Sequence, residues 1–260
     1  MILMSGKEVA EAIKPLEGTN KHLLILMVKG NRDAVVYANS LTKLAKELSI
    51  PAETLLFDED VTEQQLQDAV DAYDFGLNKL GSIMVLNPFP KVYKGAFLPL
   101  FDIDNVVYGK TWLNELDELG GTPQAVGQIL KYYNIELKGK NVVVIGRSDN
   151  VGLPIANYLI SRDATVTVCH SKTADLASHT KNADIIVSAV GKAGLVTPDM
   201  VKEGVVIVDV GINFKDGKIC GDVDSAVMEK ASAFTPVPGG VGVVSNMCIM
   251  RNHLKASLYA

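Results

Sequence analysis

The segment of residues 141–154, NVVVIGRSDNVGLP, constrains the fold more strongly than any other part of the chain. Its β-branched run from Val142 to Ile145 is typical of a central parallel strand that is covered on both faces. Gly146 ends this strand, and Gly152 begins a helix. A strand that leads into a helix through a glycine turn directs backbone N–H groups and the helix dipole at one point, where a phosphate is stabilised.

The turn departs from the usual G-x-G-x-x-G pattern of dinucleotide-binding folds. Gly146 and Gly152 are its only glycines, and Arg147 and Ser148 lie between them. The pattern favours a dinucleotide site, and an ordinary strand–helix turn of an α/β protein is the alternative.

Strands and helices alternate along most of the chain. This alternation predicts right-handed crossovers, mainly parallel sheets and an α/β fold. We predict two lobes that face a cleft: an N-terminal α/β lobe and a C-terminal, Rossmann-like, doubly wound parallel sheet. The predicted domains are residues 1–121 together with a closing helix at 245–260, and residues 122–244. The predicted strands cover 22–28, 51–57, 82–86, 141–145, 165–170, 185–190 and 205–210.

The composition limits the classes of partner. The net charge of −5 and the pI near 5.4 argue against a nucleic-acid or membrane surface as the main partner. No segment approaches ~20 uninterrupted apolar residues, the length that spans a bilayer. Cys169, Cys220 and Cys248 are far apart and odd in number, which fits neither a disulfide framework nor a metal site. We therefore expect no bound metal, a reducing compartment and a cytoplasmic location.

Ligands of an open parallel sheet bind outside the carboxyl ends of its strands. His170 stands at such an end, and we interpret it as a residue that lines the cofactor or packs structurally, with a proton shuttle as the alternative. The predicted rim of the C-terminal lobe contains Arg147, Ser148, His170, Ser171, Gly191, Gly211 and the loop 235–242.

This rim favours NADP over NAD. In NAD enzymes, an acidic residue at the end of the second strand accepts hydrogen bonds from the ribose hydroxyls. Here that strand ends in CHSK at 169–172, which contains no acid. Arg147, Ser148 and Ser171, with Lys172 as a further candidate, would instead stabilise a phosphorylated ribose. The alternative is that Arg147 and Lys172 are solvated surface charges.

Five motifs, in the correct order and with compatible spacing, resemble the 5,10-methylenetetrahydrofolate dehydrogenase/cyclohydrolase family. They are GRSDNVGLPIA at 146–156, TVTVCHSKT at 165–173, DVGIN at 209–213, GDV at 221–223 and TPVPGGVG at 235–242. The N-terminal lobe resembles the family more weakly, in its tyrosine helix at 28–50, its proline loop NPFP at 87–90 and its pterin-binding segment FDIDN at 101–105.

The resemblance implies an activity and its residues. The family oxidises 5,10-methylenetetrahydrofolate to 5,10-methenyltetrahydrofolate by hydride transfer to NADP, and its bifunctional members hydrolyse this product to 10-formyltetrahydrofolate. Tetrahydrofolate derivatives are thus the implied partners, and a homodimer is the implied assembly. The implied cofactor contacts are Gly146, Arg147, Ser148, Val151, Gly152, His170, Ser171, Gly191, Gly211 and Ile212. The implied folate contacts are Tyr37, Pro88, Asp104, Pro238, Gly239 and Gly240.

Two residues depart from the family pattern in the part that serves hydrolysis. The resemblance implies catalytic roles for Tyr37 and Asp104, but Leu41 replaces the family's lysine, four residues after the tyrosine. Leu86 replaces the glutamine that assists this lysine. Lys43 lies two residues beyond Leu41, on roughly the opposite face of a helix, and is therefore a poor substitute.

These departures favour an NADP-dependent methylenetetrahydrofolate dehydrogenase with weak or absent cyclohydrolase activity. A fully bifunctional enzyme, in which another residue replaces the lysine, is the first alternative. A non-catalytic folate- or nucleotide-binding paralogue and a Rossmann oxidoreductase with a changed substrate are the others.

Overall fold

The computed structural model describes residues 1–15, 17–77, 80–86, 89–90, 116, 119–215 and 217–258, with the backbone alone at 32–33 and 74–77. Pro88 and Asp104, which the resemblance implies as folate contacts, lie outside the described residues. Within the described part of the chain, no helix combines the length and the apolar composition needed to cross a membrane.

The described residues alternate between strands and helices, as predicted for an α/β protein. The strands are β1 (Ile2–Leu3), β2 (His22–Val28), β3 (Ala52–Phe57), β4 (Leu80–Val85), β5 (Asn141–Ile145), β6 (Thr165–Cys169), β7 (Ile185–Ser188), β8 (Val206–Asp209), β9 (Asn213–Lys215), β10 (Lys218–Cys220) and β11 (Ala233–Phe234). The α-helices are α1 (Gly6–Ala12), α2 (Arg32–Glu47), α3 (Glu63–Leu77), α4 (Gly121–Tyr132), α5 (Gly152–Ser161), α6 (Leu176–Thr180) and α7 (Val241–Ser257).

Three parallel strands form the sheet of the N-terminal lobe, in the order β3-β2-β4. β2 is the central strand, and its residues 23–28 are all buried, as the apolar sequence LLILMV predicts. One side of this sheet packs against Leu66 and Val70 of α3. On α2, the fully or almost fully buried residues Ala38, Leu41 and Ala45 recur at helical spacing and define its inner face.

Six strands form the sheet of the C-terminal lobe, in the order β1-β11-β8-β7-β5-β6, and all neighbouring strands are parallel. β7 is buried along its whole length, and β5 is buried except at Asn141. The predicted Rossmann-like parallel sheet is thus confirmed. The chain order reverses at β5, because β6 pairs with one of its edges and β7 with the other. Sheets of this kind bind ligands at such a switch point.

The chain divides into two compact units. One consists of Met1–Ile13 and Trp112–Ser245, and the other of Lys14–Thr111 and Asn246–Ala260. The predicted domains differ from these units at the N-terminus, because β1 pairs with β11 and adds the first residues to the C-terminal sheet. The closing helix α7 begins before the predicted position 245, and the boundary between the two units falls within it.

Candidate active site

Gly146 stands at the switch point between β5 and β7. It follows β5 with a φ of +119°, a conformation that favours glycine. A side-chain carbon at this position would overlap the carbonyl oxygen of Ala189, which follows β7. The Ala189 N–H donates to the Ile145 carbonyl at 2.8 Å. Glycine at position 146 therefore permits the close approach of the two strand ends.

The turn between Gly146 and Gly152 leaves backbone N–H groups available for a ligand. A side-chain carbon on Gly152 would overlap the Gly146 carbonyl oxygen, so α5 begins directly against the strand end. The N–H groups of Gly152 and Leu153 donate to the hydroxyl and the carbonyl of Ser148, at 3.4 and 3.1 Å. Among the described residues, no acceptor contacts the N–H groups of Arg147 and Ser148. Together with the positive end of α5, these groups can bind an anion.

The side chains that were predicted to bind a phosphorylated ribose reach solvent in this part of the lobe. Arg147 and Ser148 are exposed in the turn after β5, and Ser171 and Lys172 are exposed after β6. After β6 the sequence contains no acidic residue before Asp175. The group therefore offers cationic side chains and hydroxyl donors to an anion, and it lacks the acid that would bind an unmodified ribose.

His170 is held within its own turn. Its ring Nδ1 accepts a hydrogen bond from the Lys172 N–H at 3.1 Å, and its backbone N–H donates to Thr173 Oγ1 at 2.9 Å. The neutral ring therefore carries its proton on Nε2. These local contacts favour the structural interpretation of His170 over a proton shuttle.

The remaining predicted cofactor residues follow the carboxyl ends of the neighbouring strands. Val151 is the half-buried N-cap of α5, and Gly191 lies in the loop after β7 with a φ of +71°. Gly211 is buried directly after β8, whereas the side chain of Ile212 is 62% exposed. The fold thus brings residues of three separate motifs and Gly191 of the loop after β7 to one edge of the parallel sheet.

Two buried aspartates lie behind this edge, and neither was among the predicted site residues. Asp222 is 0% exposed and Asp209 is 2% exposed. Asp209 accepts hydrogen bonds from the N–H groups of Gly211, Asp222 and Val223, at 2.9–3.0 Å. Burial raises the pKa of Asp209 to about 6; the N–H donors oppose this shift, and the nearby Asp222 adds to it.

Helix α2 contains Tyr37 and Leu41, the residue that, by the resemblance, replaces the family's lysine. Tyr37 is half-buried, and Leu41, one turn later, is 0% exposed. Lys43 is exposed, and it lines a groove of about 610 Å³ with Lys46 and Ile50. The groove is not lined by Tyr37 or Leu41. Lys43 thus lies on a different face of α2 from Leu41, as the helical spacing predicts.

The structure describes Leu86 and three of the remaining implied folate contacts. Leu86 follows β4, is buried, and donates its N–H to the Leu26 carbonyl at 2.9 Å. Pro238 and Gly239 are exposed in the loop before α7, and Gly240 is buried. Pro88 and Asp104 lie outside the described residues, so their positions remain predictions.

Comparison with known proteins identifies the family. The sequence profile described as "Tetrahydrofolate dehydrogenase/cyclohydrolase, NAD(P)-binding domain" matches residues 120–260, more than half of the chain. The chain belongs to the tetrahydrofolate dehydrogenase/cyclohydrolase family. The predicted family is therefore confirmed, and the matched domain contains the glycine turn at 146–152.

Relatives of known name span the whole chain. The bifunctional protein FolD of Caldanaerobacter subterraneus subsp. tengcongensis is 40% identical over 275 residues, which cover 100% of this chain and 98% of the relative. The crystal structure of the bifunctional FolD of Campylobacter jejuni is 33% identical, with a TM-score of 0.86 and coverage of 100% and 99%. The Trypanosoma brucei FolD, complexed with NADP and an inhibitor, is 28% identical, with a TM-score of 0.87 and coverage of 99% and 97%.

Proposed function

We propose that this protein is an NADP-dependent methylenetetrahydrofolate dehydrogenase whose cyclohydrolase activity is weak or absent. Membership of the tetrahydrofolate dehydrogenase/cyclohydrolase family supports the folate substrate and the dehydrogenase reaction. One observation carries the second part of the proposal: Leu41, at the position of the family's catalytic lysine, is fully buried.

The cofactor residues lie around the turn after β5. The N–H groups of Arg147 and Ser148 and the N-terminus of α5 would hold the pyrophosphate. The side chains of Arg147, Ser148 and Ser171 would hold the 2′-phosphate, and the FolD of T. brucei, which shares this fold, is complexed with NADP. NADP, when bound, accepts the hydride that leaves the methylene carbon of the folate.

For the first reaction, the chain needs to position its reactants more than to move protons. The lone pairs of the two folate nitrogens stabilise the cation that forms when the hydride leaves. Positioning alone contributes up to roughly 7–11 kcal/mol to such a step. We assign this task to Tyr37, Asp104 and two loops, with Pro88 in one loop and Pro238, Gly239 and Gly240 in the other.

Hydrolysis of the methenyl product needs acid–base assistance, which the two leucines cannot provide. Leu41 and Leu86 have no group that donates, accepts or transfers a proton, and both are buried. Lys43 is exposed on another face of α2. The site therefore retains residues for binding and hydride transfer and lacks two of the family's polar residues for hydrolysis.

Two other functions have specific support. The relatives with 40% and 33% identity are named bifunctional, which favours an enzyme in which another residue replaces the lysine. The leucine pair favours a paralogue that binds folate or nucleotide without catalysis.

One assay separates these functions. Purified protein is mixed with 5,10-methylenetetrahydrofolate and either NADP or NAD, and the absorbance of the methenyl product and of the reduced cofactor is followed. We expect NADP to be reduced, with stoichiometric build-up of methenyltetrahydrofolate that disappears no faster than in buffer. Faster disappearance supports the bifunctional enzyme. Binding of folate or NADP without reduction of either cofactor supports the non-catalytic paralogue.

We also propose that the protein is cytoplasmic, as its cysteine pattern indicates, and a homodimer, as the family resemblance implies. Sedimentation equilibrium of the purified chain tests the assembly, with a mass near twice 27.9 kDa as the expected result. A mass of one chain would contradict the dimer.

A further inference from the structure

We propose that Asp222 is a positioning residue for the cofactor, because its carboxylate fixes the two loops that follow β7 and β8. The first loop is residues 189–192, and the second is residues 210–212, which lead into Asn213 at the start of β9. The inference rests on the proposed function, since the loops carry Gly191, Gly211 and Ile212. Asp222 is 0% exposed, so its effect on a ligand acts through the loops and not through direct contact.

Five donors converge on the Asp222 carboxylate. Four of them belong to the end of β7 and the loop that follows, and the fifth is the first residue of β9. The donors to Oδ2 are the Ser188 hydroxyl at 3.0 Å, the Val190 N–H at 2.8 Å and the Gly191 N–H at 3.3 Å. The donors to Oδ1 are the Lys192 N–H at 2.8 Å and the Asn213 side-chain amide at 3.0 Å. One carboxylate thus joins the end of β7 and its loop to Asn213, the residue that follows the loop after β8.

Asp209 holds Asp222 in turn. Its Oδ1 accepts from the backbone N–H of Asp222 at 3.0 Å, and its Oδ2 accepts from the Val223 N–H at 2.9 Å. The Thr235 hydroxyl oxygen accepts from the Asp209 N–H at 2.7 Å. Asp222 is therefore fixed at its backbone as well as at its side chain, and it cannot shift without displacing the end of β8.

This arrangement gives the loop after β7 and the turn after β5 different groups to offer a ligand. The N–H groups of Val190, Gly191 and Lys192 are used by Asp222 and are not available to a phosphate. The N–H groups of Arg147 and Ser148 have no acceptor among the described residues. Phosphates therefore belong to the turn after β5. In the loop after β7, the carbonyl oxygens of Val190 and Gly191 accept no hydrogen bond from a described residue, and these oxygens suit the hydroxyl and amide donors of the cofactor.

The test is the variant Asp222→Asn, which keeps the shape of the side chain but turns one of its two acceptors into a donor. That donor faces N–H groups, so the loop after β7 loses its anchor. We expect the KM for NADP to rise roughly tenfold, from the loss of hydrogen bonds to a charged acceptor. The KM for methylenetetrahydrofolate at saturating NADP should change by less than about twofold.

The matched control is Asp224→Asn. Asp224 is exposed, and its carboxylate accepts from the N–H of Ala226 at 2.9 Å, within its own turn. We expect its KM values to equal those of the wild type. A folded Asp222→Asn protein with a lower melting temperature and an unchanged KM for NADP would show a purely structural role and overturn the inference.

Asn213 supplies a second route if Asp222→Asn does not fold. Asn213→Ala removes one donor, and Asn213→Asp places a second carboxylate against Asp222. We expect the KM for NADP to rise in both, and further in Asn213→Asp because of the charge repulsion. Unchanged values in both variants would overturn the inference.

Direct titration with NADP separates the inference from the proposed function. If wild-type protein binds NADP and Asp222→Asn binds it more weakly, the inference is supported. Equal binding by both proteins overturns the inference alone. Lack of NADP binding by the wild type overturns the proposed function and, with it, the role assigned to Asp222.

Discussion

Gly211 and Asp222 form an interlocked pair, because a side-chain carbon on residue 211 would overlap the Asp222 carboxylate. The reciprocal relationship joins Gly221 and Asp209, since a side-chain carbon on residue 221 would overlap the Asp209 carboxylate. The motifs DVGIN and GDV thus each supply an aspartate that fills the space left by the glycine of the other. This explains in physical terms why both motifs contain the same two residue types.

Replacement of Gly211 by alanine should therefore weaken both folding and cofactor binding. The added methyl group would displace the Asp222 carboxylate from its donors, and we expect the free energy of unfolding to fall by roughly 3 kcal/mol. Urea denaturation measures the change. The control is Gly242→Ala in the first turn of α7, where the new methyl group meets no atom within 4 Å. Equal stability of Gly211→Ala and wild type would contradict the interlocked pair.

Apolar runs predicted the central strands well, whereas contacts between distant segments could not be predicted. β2 and β5 have the predicted bounds, because LLILMV lies between His22 and Lys29, and VVVI lies between Asn141 and the strand-ending Gly146. β1 and β11 have two residues each and form only by pairing with other strands. The partners of Asp222 lie between 9 and 34 residues away in sequence, so no local pattern marks it as their acceptor.

On the substrate side of the site, the replacement of the family's lysine by Leu41 remains a prediction from the resemblance. The structure confirms only that Leu41 and Lys43 lie on different faces of α2, as helical spacing predicts. The sequence also contained a signal for the two aspartates, the paired motifs DVGIN and GDV, but their packing against each other depends on the tertiary fold.

His253 should make the protein less stable in acid. It is fully buried, its Nε2–H donates to the Lys21 carbonyl at 3.1 Å, and its Nδ1 therefore accepts from the Ser82 hydroxyl at 2.7 Å. Burial lowers the pKa of His253 to about 4, with a smaller contribution from His22 and an opposing one from Lys21. In the unfolded chain this histidine binds a proton near pH 6.5. The stability that the buried, neutral His253 contributes is therefore complete above that pH and is lost as the pH falls towards 4.

The free energy of unfolding that is lost through His253 between these pH values is about 3 kcal/mol. It is measured by chemical denaturation at several pH values between 7 and 4, as the difference between wild type and His253→Gln, which has no proton to gain. We expect the advantage of the wild type to shrink as the pH falls. His179→Gln, at an exposed position, is the control and should show no such trend. A constant difference at all pH values would contradict the assignment.

Asp209 should have the opposite effect over the same range. Its pKa is raised to about 6 from an ordinary value of 3.8, chiefly by burial. The folded state therefore binds a proton more readily than the unfolded chain. The stability that this proton adds to the folded state is complete below pH 3.8 and is lost as the pH rises through 6. The loss is about 3 kcal/mol. In a ¹³C-labelled sample, the carboxyl carbon chemical shifts should show one aspartate that titrates near pH 6, and this titration should be missing from Asp209→Asn. If the wild type shows no such titration, the raised pKa of Asp209 is contradicted.

Arg147 should determine the choice between the two cofactors. If its guanidinium pairs with the 2′-phosphate, Arg147→Ala should reduce kcat/KM for NADP roughly tenfold more than kcat/KM for NAD. The control is Arg162→Ala at the end of α5, where the guanidinium lies 5.3 Å from the centre of the Tyr158 ring. This variant should leave the NADP to NAD ratio unchanged. Equal losses for both cofactors in Arg147→Ala would remove the basis for the 2′-phosphate role.

Leu41 should limit the second reaction. In Leu41→Lys, the new ammonium would lie one helical turn from Tyr37, as in the family pattern, and we expect hydrolysis of methenyltetrahydrofolate to exceed the wild-type rate by roughly 10²-fold. The decay of methenyl absorbance measures this rate. Lys43→Ala is the matched control, and because Lys43 is exposed on another face, its rate should equal that of the wild type.

Loss of wild-type hydrolysis in Lys43→Ala would instead identify Lys43 as the substitute and favour the bifunctional enzyme. If Leu41→Lys folds and gains no activity, the missing lysine is not sufficient to explain weak hydrolysis. The double variant Leu41→Lys/Leu86→Gln then becomes decisive, since it restores both polar residues of the family.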